Sequence, residues 1–309
     1  MSMTEPYAIA VVGGGLMGHG IALDFARHGL PVALHDRGSE QLARSEAMTR
    51  ASLDVLVETG LVPAAEAGPT LARLRFEPNL PAAVADADLV VEAVFEDLAL
   101  KQAVFAELSA HAPAHAVLAS NTSSFMPSQL AEGTIRPERV VVTHYFHPPH
   151  LMPLVEIVPG PQTDPAVVET LRALYTRMGK QPVVVRKETP GFVGNRLQMA
   201  LLREAAALVA AGVATPEEID AIVQAGFGRR LAVSGLFEMR DLSGWTVSLA
   251  VADELFPDLA TSSAIPDWLR THTAALARNP PPRKAAQDRR ERLARDLAAL
   301  ARLVDESGD

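Results

Sequence analysis

Apolar residues follow two patterns in this chain, and the change from one to the other divides it. Short apolar runs lie at 7–12, 32–34, 89–94, 117–120, 140–143, 154–158 and 182–186. Runs that are apolar throughout fit strands covered on both faces, as in a parallel sheet. Helical spacing fills the gaps. Residues 39–58 place Leu42, Met48, Leu53, Leu56 and Val57 on one face, and 101–111 keep the same period. Prolines at 63, 69, 78 and 81 interrupt 59–81, which reads as a turn, a short helix near 71–74 and a strand at 75–77. Such alternation predicts an α/β fold with a doubly wound, mostly parallel sheet.

Past residue 187 the strand pattern stops. Residues 192–211 are helical, rich in alanine and leucine, and Gly212 is placed to end that helix. Thr215-Pro216-Glu217-Glu218 is a capping box with proline at N1, so another helix starts there and stops near Gly226 and Gly228. Further helices are expected at 231–242, 245–256 and 289–304, the last charged and amphipathic, with a proline-rich loop at 279–284. We therefore expect two domains, 1–187 with the sheet and 188–309 all helical, and no internal repeat.

The first strand runs directly into Gly13-Gly14-Gly15-Leu16-Met17-Gly18 and then into helical spacing. A strand that meets G-x-G-x-x-G and opens a helix is the dinucleotide fingerprint in its required setting. Gly13 allows the turn, Gly15 lets the backbone approach a pyrophosphate, and Gly18 lets the helix sit on the strand. The helix N-terminus, following Leu16 and Met17, offers its N–H groups to the phosphates. The second strand ends at Asp36, where a carboxylate accepts from ribose hydroxyls and repels a 2′-phosphate, so the expected cofactor is NAD in a Rossmann-type domain. Arg37 beside it leaves some tolerance for NADP.

Composition narrows the alternatives. A formal charge of −9 and a pI near 5.5 argue against a nucleic-acid surface. The absence of cysteine excludes disulfides, thiolate metal sites and a thiol nucleophile. No apolar run has the length of a membrane span and residues 1–6 do not resemble a signal peptide, so a cytoplasmic protein is expected.

Ligands of doubly wound sheets lie beyond the strand C-termini, and Glu96, Ser123 and His144 are placed just past three such ends. Alcohol oxidation needs a group of near-neutral pKa to take the hydroxyl proton, which fits His144. Three histidines at 144, 147 and 150 raise the alternative of a metal, but their spacing on a proline-broken segment is not decisive and none is expected. Glu156, inside the apolar run LVEIV, is costly to bury unless paired, and is the natural partner of His144; the alternative is a glutamate facing solvent. Ser123 in SNTSS either caps a helix or meets a substrate, and Asn195 in TPGFVGNRL is an uncharged donor near the start of the first helix of the second domain.

Taken together, Gly13 to Gly18, Asp36, VVEAVFEDLALK, ASNTSS, the His144 segment with MPLVEIV, and TPGFVGNRL resemble the L-3-hydroxyacyl-CoA dehydrogenase family across residues 7–250. The resemblance implies His144 as base, Glu156 as its orienting partner, and Ser123 and Asn195 on the reacting oxygen. It also places Glu96 and Lys101 near the NAD, and implies dimerisation through the helical domain. Three departures bear on the substrate. His147 stands where the family usually has an asparagine that touches cofactor and substrate. Residues 59–75 lack lysines for a CoA nucleotide and offer only Arg73 and Arg75. The family's glycine-rich, lysine-bearing closing motif is not recognisable, and the last helix looks like that of shorter relatives such as the lambda-crystallin/gulonate dehydrogenases. The first expectation is conversion of a short L-3-hydroxyacyl-CoA to its 3-keto form. The second is the same chemistry on a free acid of the gulonate, carnitine or pyridine-carboxylate kind. The third is a catalytically weak NAD-binding protein.

Overall fold

Eight strands form one sheet in a computed structural model that describes residues 7–280, 282, 288–289 and 292–300. They are β1 Ile9–Val12, β2 Val32–His35, β3 Leu74–Glu77, β4 Leu89–Glu92, β5 Val117–Ser120, β6 Val140–Tyr145, β7 Leu154–Pro159 and β8 Gln181–Val184. Their order is β3-β2-β1-β4-β5-β6-β7-β8, and every pairing is parallel except β6 with β7. The order reverses between β1 and β4, the place where doubly wound sheets open a crevice beyond their strand ends.

Alternate residues of each strand feed opposite layers. Ile9 and Val11 of β1 face a cluster with Ile21 and Phe25 of helix Gly18–Arg27 and with Leu171, Leu174 and Tyr175 of helix Pro165–Arg177. Ala10 and Val12 face Val104, Phe105 and Leu108 of helix Leu98–His111. Each large apolar side chain fully buried in this way contributes about 1.5–3 kcal/mol, which the unbroken apolar runs supply on both faces.

Helix Ser39–Glu58 lies where its period predicts. Helix Ala64–Ala72 corrects the expected turn and short helix near 71–74: Pro63 serves as its N-cap residue, and Pro69 is accommodated inside so short a helix. Asn79 caps a further short helix, Leu80–Val84, by accepting from the Ala82 amide.

The chain forms two compact units, divided between Val193 and Gly194 rather than at residue 187. The described part of 289–309 belongs with the first unit instead of the second. Residues 292–300 are helical, and Ala294, Leu297 and Ala298 pack with Leu23, Leu53, Leu56, Val62 and Leu151. The expected helix continues past 300, outside the described residues.

Residues 194–288 form the second unit, with helices Gly194–Ala210, Pro216–Ala225, Phe227–Leu231, Glu238–Ser243, Trp245–Leu255 and Asp267–Arg278. The expected helix at 231–242 is thus two short helices flanking Gly235. Thr215 and Glu218 make the reciprocal capping box. Trp268 donates its indole N–H to the Ala206 carbonyl at 3.1 Å, and the Ala260 amide donates to Glu204 Oε2 at 2.7 Å. No helix among the described residues is long and apolar enough to cross a membrane.

Candidate active site

The glycine turn is built as a cradle. Gly13 has φ +107°, and a Cβ on it would lie 2.6 Å from the Ala93 carbonyl oxygen, so the loops after β1 and β4 touch here. A Cβ on Gly18 would lie 1.7 Å from the Gly13 oxygen, while one on Gly15 would meet nothing within 4 Å. No side chain caps helix Gly18–Arg27 at Met17, and no acidic residue occupies its first turn, so its positive end is left for an anionic ligand. Leu16 is exposed beside it.

Asp36 Oδ2 accepts from the Gly14 amide at 2.9 Å, and Gln41 and Ser45 donate to the Gly14 carbonyl at 3.0 and 2.6 Å. The acid at the end of β2 is therefore tied to the glycine turn, where a ribose next to the pyrophosphate would lie. Arg37 points to solvent, with Glu107 at 3.7 Å. Open space at Gly15, an uncapped helix start and a carboxylate at the β2 end fit a dinucleotide.

Beyond β4 and β5 the polar residues gather around two carboxylates. Glu92, the last residue of β4, is fully buried; its Oε1 accepts from Lys101 Nζ at 2.8 Å and from the Val94 amide at 2.7 Å, and its Oε2 accepts from Ser120 Oγ at 2.5 Å. Lys101 is also buried, and reaches Glu96 Oε2 at 3.2 Å and the Val94 carbonyl at 3.3 Å. Its three ammonium protons thus face three acceptors, which places Lys101 behind the site surface, acting on it through Glu96.

Glu96 Oε1 gathers the turn after β5, accepting from Thr122 Oγ1 at 2.6 Å, Ser124 Oγ at 2.7 Å, the Ser123 amide at 3.1 Å and Ser123 Oγ at 3.3 Å. Burial raises the Glu96 carboxyl, but the bonds from Thr122 and Ser124 and the charge of Lys101 outweigh it and hold its pKa below the ordinary value.

His144 lies inside β6 and not past its end, a correction: the histidine ends the apolar run but continues the strand. In the antiparallel β6–β7 register it stands opposite Glu156, so both side chains share a face. His144 Nδ1 is 2.8 Å from Glu156 Oε2, and both residues are buried. Glu156 Oε1 accepts from the Val193 amide at 3.1 Å. With both oxygens accepting, the carboxylate assigns the proton to Nδ1 and leaves Nε2 of His144 as an acceptor.

Phe146 and Phe192 flank the imidazole, with ring centroids at 4.8 and 5.5 Å. Phe192 was not foreseen in the sequence. It is fully buried at φ +52°, a left-handed conformation that costs a non-glycine residue about 1–3 kcal/mol and is held only where its surroundings require it. The Pro190-Gly191 step before it, with Gly191 at φ +75°, was the signal available. Asn121 was also missed; its Oδ1 accepts from the Tyr145 amide at 2.9 Å and ties the Ser123 turn to the strand of His144.

The structure thus brings His144 to Glu156, Ser123 to Glu96, and Asp36 to the glycine turn. Asn195 is the second residue of helix Gly194–Ala210, in the other unit. His147 is exposed. Among the described residues no three histidine or carboxylate side chains converge as a metal set.

His150 is buried without a hydrogen bond to Nδ1, and burial pushes its pKa from the ordinary 6.5 down to about 3. Because the folded value is the lower one, the unfolded chain takes up this proton first as pH falls. Stability is therefore lost between pH 6.5 and 3, by about 2 kcal/mol at pH 5. His150→Leu is expected to flatten the decline of Tm between pH 7 and 5; an unchanged slope would mean that His150 titrates normally.

Two family models match in tandem: the NAD binding domain of 3-hydroxyacyl-CoA dehydrogenase over residues 8–189, and its C-terminal domain over 191–278. The chain belongs to the 3-hydroxyacyl-CoA dehydrogenase family. It is an NAD-dependent oxidoreductase of the 3-hydroxyacid type, with the Rossmann-like sheet and helical second domain of that family. The chain is 34% identical to 5-formyl-3-hydroxy-2-methylpyridine 4-carboxylate 5-dehydrogenase of Mesorhizobium japonicum, over 96% of its own length and 98% of that enzyme's. It is 41% identical to the L-carnitine dehydrogenase of the same organism, over 76% of its length and 64% of that enzyme's. A crystal structure of a 5-formyl-3-hydroxy-2-methylpyridine 4-carboxylic acid 5-dehydrogenase, an NAD+-dependent dismutase, superposes with a TM-score of 0.89 at 32% identity, covering 97% of this chain and 99% of the other.

Proposed function

We propose that this dehydrogenase acts on a small free acid bearing a hydroxyl or aldehyde group, of the pyridine-carboxylate or carnitine kind, and not on a CoA thioester. The observation that carries this reading is the state of its cations. CoA presents several phosphate charges, which need lysines or arginines free to meet them. Arg73 donates to the Ala26 carbonyl at 3.3 Å, and Arg75 to Glu77 at 2.6 Å and the Ala82 carbonyl at 3.1 Å, so both candidates from the sequence are engaged within the protein. Of the four lysines, Lys101 and Lys180 are buried in ion pairs. Likeness to the pyridine-carboxylate enzyme over nearly the whole of both chains supports the same choice.

In this reading Gly13, Gly15, Gly18 and the helix start take the pyrophosphate, Asp36 takes the adenosine ribose, and Glu96 and His147 lie toward the nicotinamide. When bound, NAD supplies the hydride acceptor. His144 Nε2 removes the hydroxyl proton, and Glu156 fixes the tautomer and stabilises the charge that the ring acquires. Ser123 holds the reacting oxygen.

The test is NADH formation at mildly alkaline pH, comparing 3-hydroxybutyryl-CoA with free hydroxy acids and pyridine aldehyde-carboxylates. Turnover of a free acid is expected. Turnover of the thioester alone would overturn the reading and assign CoA binding to other cations.

The helical unit is proposed to dimerise. Ala206 is the only buried residue among its described residues, and the unit holds 20 of the 27 exposed large hydrophobic residues of the described chain. A layer of helices with no buried core needs another surface to cover it. Light scattering at micromolar concentration is expected to give twice the chain mass of 32.9 kDa, and a monomer would refute the proposal.

A further inference from the structure

One buried ion pair has no part in the chemistry above. Lys180 Nζ, just ahead of β8, stands 2.8 Å from Asp24 Oδ2. Its hydrogen bonds go to the carbonyls of Pro149 at 2.7 Å and Met152 at 3.0 Å, while Asp24 Oδ2, buried and without a hydrogen-bond partner, is held by charge alone. Asp24 is fully buried in the middle of helix Gly18–Arg27, and its Oδ1 accepts from Arg27 Nε at 2.9 Å.

Stability is a poor reason to keep such a pair. Removing two charges from water costs as much as their attraction returns, and apolar replacements of like volume are often neutral or better. What the pair supplies is geometry. It ties two carbonyls of the loop 148–152 to the helix that the glycine turn opens. The loop meets the same helix again at Gly20, where a Cβ would lie 2.7 Å from Pro149 Cγ and 2.9 Å from His150 Nδ1. His147 immediately precedes this doubly fixed loop, and His144 lies three residues before it in β6.

We propose that Asp24 and Lys180 are positioning residues for cofactor binding: by clamping residues 148–152 onto the first helix, they set His147 against the bound NAD. The proposal rests on the reading that His147 faces the cofactor.

NADH titration followed by fluorescence tests it as a double-mutant cycle of His147→Ala and Lys180→Met, well below the Tm of each protein. Each single change is expected to weaken NADH binding about tenfold, the weight of one hydrogen bond, although Lys180 is too deeply buried to meet a ligand. The double variant is expected to bind no more weakly than Lys180→Met alone. A structural role confined to stability would lower Tm and leave NADH affinity unchanged, and fully additive losses would show two independent effects; either result overturns the proposal. Gly20→Ala disturbs the loop from the other side, and is expected to replace Lys180→Met in the same cycle with the same non-additivity. It decides the question if Lys180→Met does not fold. Wild-type affinity in His147→Ala would refute the His147 contact, whereas failure of the wild-type protein to bind NADH would refute the cofactor reading itself.

Discussion

Replacing His144 with alanine is expected to lower kcat by about 10²–10⁴-fold, the weight of a general base, with NADH affinity close to that of the wild-type protein. In barrier terms this is about 2.7–5.5 kcal/mol. The histidine is expected to matter this much because its surroundings fix it so fully. Glu156 Oε2 at 2.8 Å holds Nδ1, and Phe146 and Phe192 flank the ring, so Nε2 has one orientation in which to accept a proton. The alanine variant also leaves a buried carboxylate with the Val193 amide and no imidazole, so part of its Tm is lost as well. His144→Gln separates the two effects: its amide can donate to Glu156 but is no base, so turnover should fall as far while Tm falls less. If His144→Ala keeps turnover within tenfold of wild type, His144 is not the general base of this enzyme.

The sheet was legible because its signals are local. Apolar runs closed by glycine or a polar residue predict strands buried on both faces, and seven of the eight strands fall on the runs at 7–12 through 182–186, with β3 beside the expected 75–77. The glycine turn and Asp36 were legible for the same reason, since each is a requirement of chain geometry over a few residues. The partnership of His144 and Glu156 was readable only through energetics, because a carboxylate amid apolar residues needs a partner. Its geometry depends on β7 running antiparallel to β6, which no local pattern encodes. Prolines misled the reading of 59–81: Pro63 stands just ahead of Ala64, where proline is tolerated, and Pro69 is accommodated inside the helix despite the usual cost of an interior proline. Periodicity likewise predicted the last helix without saying which surface it would cover. The four buried leucines clustered with Ala298, namely Leu23, Leu53, Leu56 and Leu151, are more than 140 residues away in sequence.

Gly18→Ala is expected to abolish measurable NADH binding and to lower Tm by several degrees. Its methyl group would lie 1.7 Å from the Gly13 carbonyl oxygen, a backbone atom with no easy retreat. Gly13 is itself in the left-handed region at φ +107°, pressed against the Ala93 backbone, so moving it would open the contact between the β1 and β4 loops. The helix must instead lift from β1, with an overpacking cost of about 1–3 kcal/mol or more, and its N–H groups then leave the line of the phosphates. Gly15→Ala separates this packing effect from ligand contact. Nothing lies within 4 Å of a Cβ there, so the free protein should keep its Tm. The added methyl would occupy space that the pyrophosphate needs, and NADH affinity should fall by about 100-fold, comparable to one well-buried steric conflict of nearly 3 kcal/mol. Should Gly15→Ala bind NADH as the wild-type protein does, the dinucleotide does not cross this glycine. The loss in Gly18→Ala would then be a defect of folding rather than of the cofactor cradle.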